Sequence, residues 1–291
     1  MPGLFKEILV PVDFSVNTEI AVKQAVELAC TDDSIIHLLH IKKPKTIWHK
    51  VFASFRPIQH LHNRESLKSI KTKLQQWKET IKETIPNSQV NSYVRAGKVE
   101  YQIQKAAKEL NPHLIIIGKK ANSKLFNFFH SVCPNSIAKS TGCPVLSVIK
   151  RTIDNKIKII VIPVSSFVPK RKIELVVEFA KKYRAEIHLI TIPNKINIEE
   201  TNSNSSFLET YRILKTSLTN PIEYHILKGN NLAIAILEYA ECVKADLIFV
   251  NPGTETKISS ITGKHINDSL ESSSRLKILS IEPYRDHKLT V

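Results

Sequence analysis

Glycine is scarce, with seven in 291 residues, so each one carries more information than usual. The motifs of several large enzyme classes are missing. There is no Gly-x4-Gly-Lys-[Ser/Thr] loop, no Gly-x-Ser-x-Gly elbow and no His-Glu-x-x-His pair, which removes the P-loop, α/β-hydrolase and zincin readings. Nothing sets a nucleophile beside its base, and the chain reads as a binding protein and not an enzyme. The four cysteines, Cys30, Cys133, Cys143 and Cys242, show neither CxxC nor zinc-ligand spacing. They read as reduced thiols, several in apolar company. No segment approaches ~18 continuous apolar residues, and the early run Ile8 to Val12 is short and interrupted by Pro11. These absences predict a soluble, cytoplasmic chain with no membrane partner.

Positive charge is abundant and unevenly spread. The net charge is +15, and residues 1–150 hold 22 Lys and Arg against 11 Asp and Glu. Such a balance favours anionic partners, among them nucleotides and nucleic acid, or else solvates exposed helix faces.

The chain repeats itself. Ile8-Leu9-Val10-Pro11-Val12-Asp13-Phe14-Ser15 returns as Ile160-Val161-Ile162-Pro163-Val164-Ser165-Ser166-Phe167. A helical pattern follows each, through Ala21, Ala25 and Leu28 in the first and Ile173, Val176, Val177 and Ala180 in the second. Ile35 to Ile41 pairs with Ile187 to Ile192, Gly97 with Gly229, Leu114 to Gly118 with Leu247 to Asn251, and Val145 to Val148 with Lys277 to Ser280. Continuous Val/Ile/Leu runs imply strands covered on both faces, as in a parallel sheet with crossover helices. The expected architecture is α/β: two tandem five-stranded, mainly parallel, doubly wound domains, 1–150 and 151–291, meeting in the polar stretch Lys150 to Lys156. The copies differ in the middle. Residues 44–66 form a basic, aromatic insertion in the first, and Thr201 to Ser206 reads as a loop in the second. After the insertion, Leu67, Ile70, Leu74, Trp77 and Ile81 step by three and four, which predicts a helix laying one apolar stripe on the core.

In this order these elements resemble the universal stress protein family, nearly twice over. The first copy carries the better match: Pro11-Val12-Asp13-x-Ser15, Leu39-His40-Ile41, Gly97, and Cys143-Pro144-Val145-Leu146. The resemblance implies that family's adenine-nucleotide alpha-hydrolase-like fold, a role in stress response, and last strands that pair with each other, here inside one chain, with a homodimer beyond that. ATP-binding members carry Gly-x2-Gly-x9-Gly-[Ser/Thr] after the fourth strand. Here only Gly118 survives, the later positions being Ala121, Ser131 and Val132. The implied site for ATP or another adenine nucleotide, with magnesium only as its companion, comprises Pro11, Val12, Asp13, Ile41, Gly118, Lys119, Ala121, Ser131 and Val132. Ligands of open parallel sheets settle beyond the strand carboxyl ends, where the strand order reverses. There Asp13 would accept from adenine or ribose and Ile41 would contact the base. The loop from Gly118 would hold phosphate, with Lys119 and Lys120 adding charge and Ser131 capping the next helix. Two alternatives stand beside these roles: Asp13 caps the first helix, and Gly118 only turns the chain. The second copy has Ser165, Asn251, Thr254 and Lys264 at the matching places and reads as a structural companion.

Other constellations point less sharply. The insertion mixes Trp48, Phe52 and Phe55 with Lys50, Arg56 and Arg64, which suits a protein interface or stacking on single-stranded nucleic acid. His49, His60 and His62 lack a carboxylate or cysteine to complete a metal set. His37 and His188 occupy equivalent strand positions and read as structural.

Overall fold

The computed structural model describes residues 4–29, 33–42, 66–119, 132–149, 156–165, 167–191, 202–229, 231–253, 255–256 and 276–283, with backbone alone at 202–205. Ten strands form one sheet: β1 (Glu7–Val12), β2 (Ile35–Lys42), β3 (Gln89–Ala96), β4 (Leu114–Gly118), β5 (Val145–Val148), β6 (Ile159–Pro163), β7 (Glu186–Thr191), β8 (Ile222–Ile226), β9 (Leu247–Val250) and β10 (Lys277–Ser280). The helices are α1 (Val16–Leu28), α2 (Leu67–Thr84), α3 (Val99–Leu110), α4 (Pro134–Thr141), α5 (Lys170–Tyr183), α6 (Asn202–Ser217) and α7 (Leu232–Cys242).

The strand order is β3-β2-β1-β4-β5-β10-β9-β6-β7-β8. Every neighbouring pair is parallel except β5 and β10, which run antiparallel with Val145 opposite Ser280 and Leu146 opposite Leu279. Each half thus has the same internal order, and the direction of winding reverses between β1 and β4 and again between β6 and β9. Burial explains the composition of the strands. In β4, β5, β9 and β10 every residue is buried, so the period-two alternation of a half-solvated strand is absent.

One face of the sheet carries a single core that runs across both halves. It joins Ala21, Ala25 and Leu28 of α1, Ile70 and Leu74 of α2, Phe179 of α5 and Leu214 of α6. The other face has two separate cores, one under α3 and α4 and one under α7. Polar contacts also tie the halves together. Tyr183 donates to Glu27 Oε1 at 2.6 Å, and Ser280 donates to Asn135 Oδ1 at 2.7 Å.

The apolar stripe of α2 packs as its spacing predicts, with Ile70, Leu74 and Ile81 buried; Leu67, in its first turn, stays exposed. One expectation fails. The polar run Thr201 to Ser206, expected as a loop, is helical from Asn202 on, where α6 begins, while Thr201 lies outside the described residues. Ser and Asn suit a helix start, and periodicity shows no signal until the first apolar residue, Phe207. The boundary expected at Lys150 to Lys156 falls, apart from Lys156, outside the described residues, as does the insertion 44–66 apart from Ser66. Among the described residues no helix is long and apolar enough to cross a membrane.

Candidate functional site

Where β1 and β4 end side by side, the chain leaves β1 through Asp13 and turns sharply into α1. Phe14 takes the left-handed conformation, φ 59°, a strain of roughly 1–2 kcal/mol for a non-glycine residue. Its ring contacts offset this. It stacks on His40 with centroids 4.9 Å apart, meets Trp77 edge-on at 5.6 Å, and lies 5.2 Å from Lys73 Nζ. His40 Nδ1 donates to the Val12 carbonyl at 2.9 Å, locking the strand end.

Asp13 organises the turn. Its Oδ1 accepts from the Ser15 backbone N–H at 3.0 Å and from the Thr18 hydroxyl, while the Asp13 N–H donates to Thr18 Oγ1 at 3.3 Å. A short acid bonded to the backbone two residues ahead mimics a turn and satisfies a helix start. Ser15 stands at the N-cap without a side-chain cap bond, and Asp13 holds its backbone N–H from two residues before. Asp13 therefore braces the turn into α1 and bonds no N–H within the helix itself, and it does so through one oxygen alone. Among the described residues Oδ2 carries no hydrogen bond, and the residue is half-buried.

Gly118 is required by a close approach and not by its φ. A Cβ there would stand 2.2 Å from the Asn17 carbonyl oxygen and 2.5 Å from its carbon. The first turn of α1 lies directly over the end of β4, and only hydrogen fits between them. This differs from both roles expected for Gly118, since it is the last residue of β4 and not part of the loop.

The remaining predicted residues divide. Pro11, Val12, Asp13, Gly118 and Lys119 come together at the adjacent ends of β1 and β4. Ile41 and Val132 do not form a binding surface. They are 0% and 1% exposed, sunk in the core beneath α3 and α4, because apolar side chains at these two places have Val99 and Ile103 to pack on. Lys119, expected to add charge to the loop, is buried, and its N–H donates to the Val148 carbonyl at 2.8 Å. Ala121 and Ser131, with Lys120, lie outside the described residues.

The matching place in the second half is closed by an ion pair that sequence reasoning missed. Lys172, fully buried on α5, donates to the Pro163 carbonyl at the end of β6 at 2.7 Å and to Glu255 Oε2 and Oε1 at 2.8 and 3.1 Å. Glu255 Oε2 also accepts from the Asn251 N–H, just past β9, at 2.6 Å. Asn251 Nδ2 in turn donates to the Ile281 carbonyl at 2.8 Å. Burial pushes the Lys172 ammonium below its usual range and the Glu255 carboxyl above its own, and each partner only partly reverses the other's shift. A carboxylate on a strand-end N–H is the contact a bound anion would make. Here the chain supplies that anion itself. One signal was available: Lys172 adjoins Ile173 and precedes Val176 by four, which places it on the buried face of α5.

The family model described as universal stress protein family matches residues 4–148. Universal stress protein G of Shigella flexneri is 25% identical over 148 residues, spanning 50% of this chain and 99% of that protein. A universal stress protein structure from Archaeoglobus fulgidus superposes with a TM-score of 0.64 at 15% identity, over 96% of this chain and 97% of the other, which shows a shared fold. An Arabidopsis thaliana universal stress protein family structure with AMP bound aligns over 51% of this chain and 94% of its own at a TM-score of 0.34 and 17% identity, too weak a likeness to bear on this chain.

Proposed function

Because the chain belongs to the universal stress protein family, we propose that it is a stress-response regulator acting by binding and not by chemistry, with one working ligand site, in its first half. The ligand class is an adenine nucleotide. The observation that carries this reading is the contrast between the two halves. At the ends of β1 and β4 a half-buried carboxylate keeps one oxygen, Asp13 Oδ2, without a partner among the described residues, whereas at the ends of β6 and β9 the Pro163 carbonyl and the Asn251 N–H are engaged by Lys172 and Glu255. The carboxylate accepts from an exocyclic amine or a ribose hydroxyl. The first half's excess of positive charge draws a polyphosphate toward the loop behind β4.

A thermal-shift titration with ATP and magnesium tests the proposal. At ~100 times its dissociation constant a single-site ligand stabilises the fold by roughly 2.7 kcal/mol. Asp13→Asn keeps an oxygen for the Ser15 N–H while removing the charge, so it should retain the fold and weaken the response. No shift at millimolar ATP, in wild type and variant alike, would overturn it.

A second reading is favoured by the complete burial of Ile41 and Val132 and by the engagement of the Lys119 N–H with Val148. On that reading the chain is a scaffold for a protein partner and holds no nucleotide. It predicts the flat thermal response just described together with capture of a partner through the basic, aromatic stretch 44–66.

A further inference from the structure

At the far end of the sheet, β7 and the edge strand β8 pair in parallel with His188 opposite Glu223 and Ile190 opposite His225. Side chains two apart share a face, so Glu186, His188, Glu223 and His225 all stand on one side. The ligand atoms of His188, Glu223 and His225 lie within 4.8 Å of one another. The two imidazoles are nearly parallel, with centroids 5.7 Å apart, and His225 Nε2 is 3.1 Å from Glu223 Oε2. Glu186 Oε1 stands 3.5 Å from His188 Nε2.

A second, independent feature concerns His188 alone. The residue is 5% exposed, and its Nε2 is buried without a hydrogen-bond partner, an arrangement that is costly unless something else satisfies the nitrogen. Its other nitrogen, Nδ1, lies 2.7 Å from the Tyr239 hydroxyl on α7. His37, at the equivalent position of the first half, also has an orphaned Nε2, but the residues beside it on β3 are Asn91 and Tyr93, which add no second histidine or carboxylate.

We propose that His188, Glu223 and His225 form a site for a divalent transition-metal ion, zinc foremost, with Glu186 as a further carboxylate at its margin. Two imidazoles and a carboxylate with an open fourth position are a zinc-type ligand set, and water completes it. Zinc–ligand bonds of ~2.0–2.2 Å place ligand atoms about 3.4 Å apart in a tetrahedron. The rigid member is His188. Glu223 and His225, with side chains 54% and 37% exposed, move the remaining distance. A metal on Nε2 requires the proton on Nδ1, which then donates to the Tyr239 oxygen, the outer bond that fixes a ligating imidazole. The Tyr239 hydroxyl, 2.7 Å from Nδ1, stands where its oxygen accepts that bond. The ion would tie the edge strand to its neighbour through side chains.

The experiment is calorimetric titration of the full chain with zinc chloride, repeated on His225→Ala and Glu223→Gln, two surface substitutions that leave the core untouched. A triple variant His49→Ala, His60→Ala, His62→Ala serves as the control for the other histidines. The expected result is one zinc per chain in the wild type and the triple variant, weakened at least ~10–100-fold in each single variant, with a zinc-dependent rise in the unfolding midpoint lost in parallel. Absence of zinc binding by the wild type, unchanged affinity in His225→Ala and Glu223→Gln, or loss confined to the triple variant would each overturn the site.

Discussion

Removing the carboxylate of Glu255 probes the closed half of the molecule most sharply. In Glu255→Gln the amide oxygen, in the place of Oε2, still accepts from the Asn251 N–H and the Lys172 ammonium, but the ammonium, fully buried, loses its countercharge and its bond to Oε1. An uncompensated buried charge of this kind costs about 3–5 kcal/mol. At ~2 cal/mol/K per residue in unfolding entropy, a chain of 291 residues should then lose about 5–8 °C from its thermal midpoint. The double variant Lys172→Met, Glu255→Gln removes both charges and leaves neutral groups alone without their partner, the Pro163 carbonyl and the new amide N–H, at about 1–3 kcal/mol each. It should therefore be more stable than Glu255→Gln alone, although it carries one change more. The pH dependence has a defined sign. Without its carboxylate, Lys172 has a folded-state pKa pushed down by burial, while the unfolded chain titrates near ~10.4. Between those values the unfolded state binds more protons, so stability rises with pH, and the deficit against wild type should narrow from pH 7 toward pH 10. Urea unfolding followed by circular dichroism at several pH values reads all three quantities. A double variant that loses the sum of the two single losses would refute the account, as would a Glu255→Gln protein within ~1 kcal/mol of wild type.

Two further outcomes follow from geometry. Gly118→Ala should destabilise by about 1–3 kcal/mol, because its Cβ meets the backbone of Asn17 at 2.2 Å and α1 must shift; a thermal midpoint equal to wild type would contradict that packing. Cys143, buried and donating to the Pro112 carbonyl at 3.0 Å, has its thiol pushed up to about 12 by burial, so iodoacetamide at pH 8 should label exposed Cys242 and spare Cys143 in the folded chain. Equal labelling of the two would count against it.

The sheet was legible because its physics is local. A strand covered on both faces must be apolar throughout, and Ile8 to Val12, Ile115 to Ile117 and Ile160 to Ile162 announce that directly. The stripe of α2 was legible for the same reason. The start of α6 was not, since five polar residues precede Phe207 and a polar first turn leaves no apolar period. The site was harder, because its chemistry is made by packing. Val132 and Ile41 differ from a ligand contact only in what lies above them, and Gly118 looks the same in sequence whether it cradles a phosphate or admits the Asn17 carbonyl. Lys172 sits third in Lys170-Arg171-Lys172, a run that reads as solvated until α5 turns that one side chain inward. The metal-type cluster had a faint signature, Glu186-x-His188 and Glu223-x-His225 on consecutive strands, which becomes a cluster only when β7 and β8 pair in register.

The central claim is a division of labour: one half keeps a ligand site at its strand ends, and the other fills the same place with its own charged side chains. Native mass spectrometry of the full chain at saturating ATP and magnesium counts occupied sites directly. The account predicts one nucleotide per chain, lost in Asp13→Ala and retained in the Lys172→Met, Glu255→Gln double variant. Two nucleotides on the wild-type chain would contradict the closed second half, and none would contradict the open first.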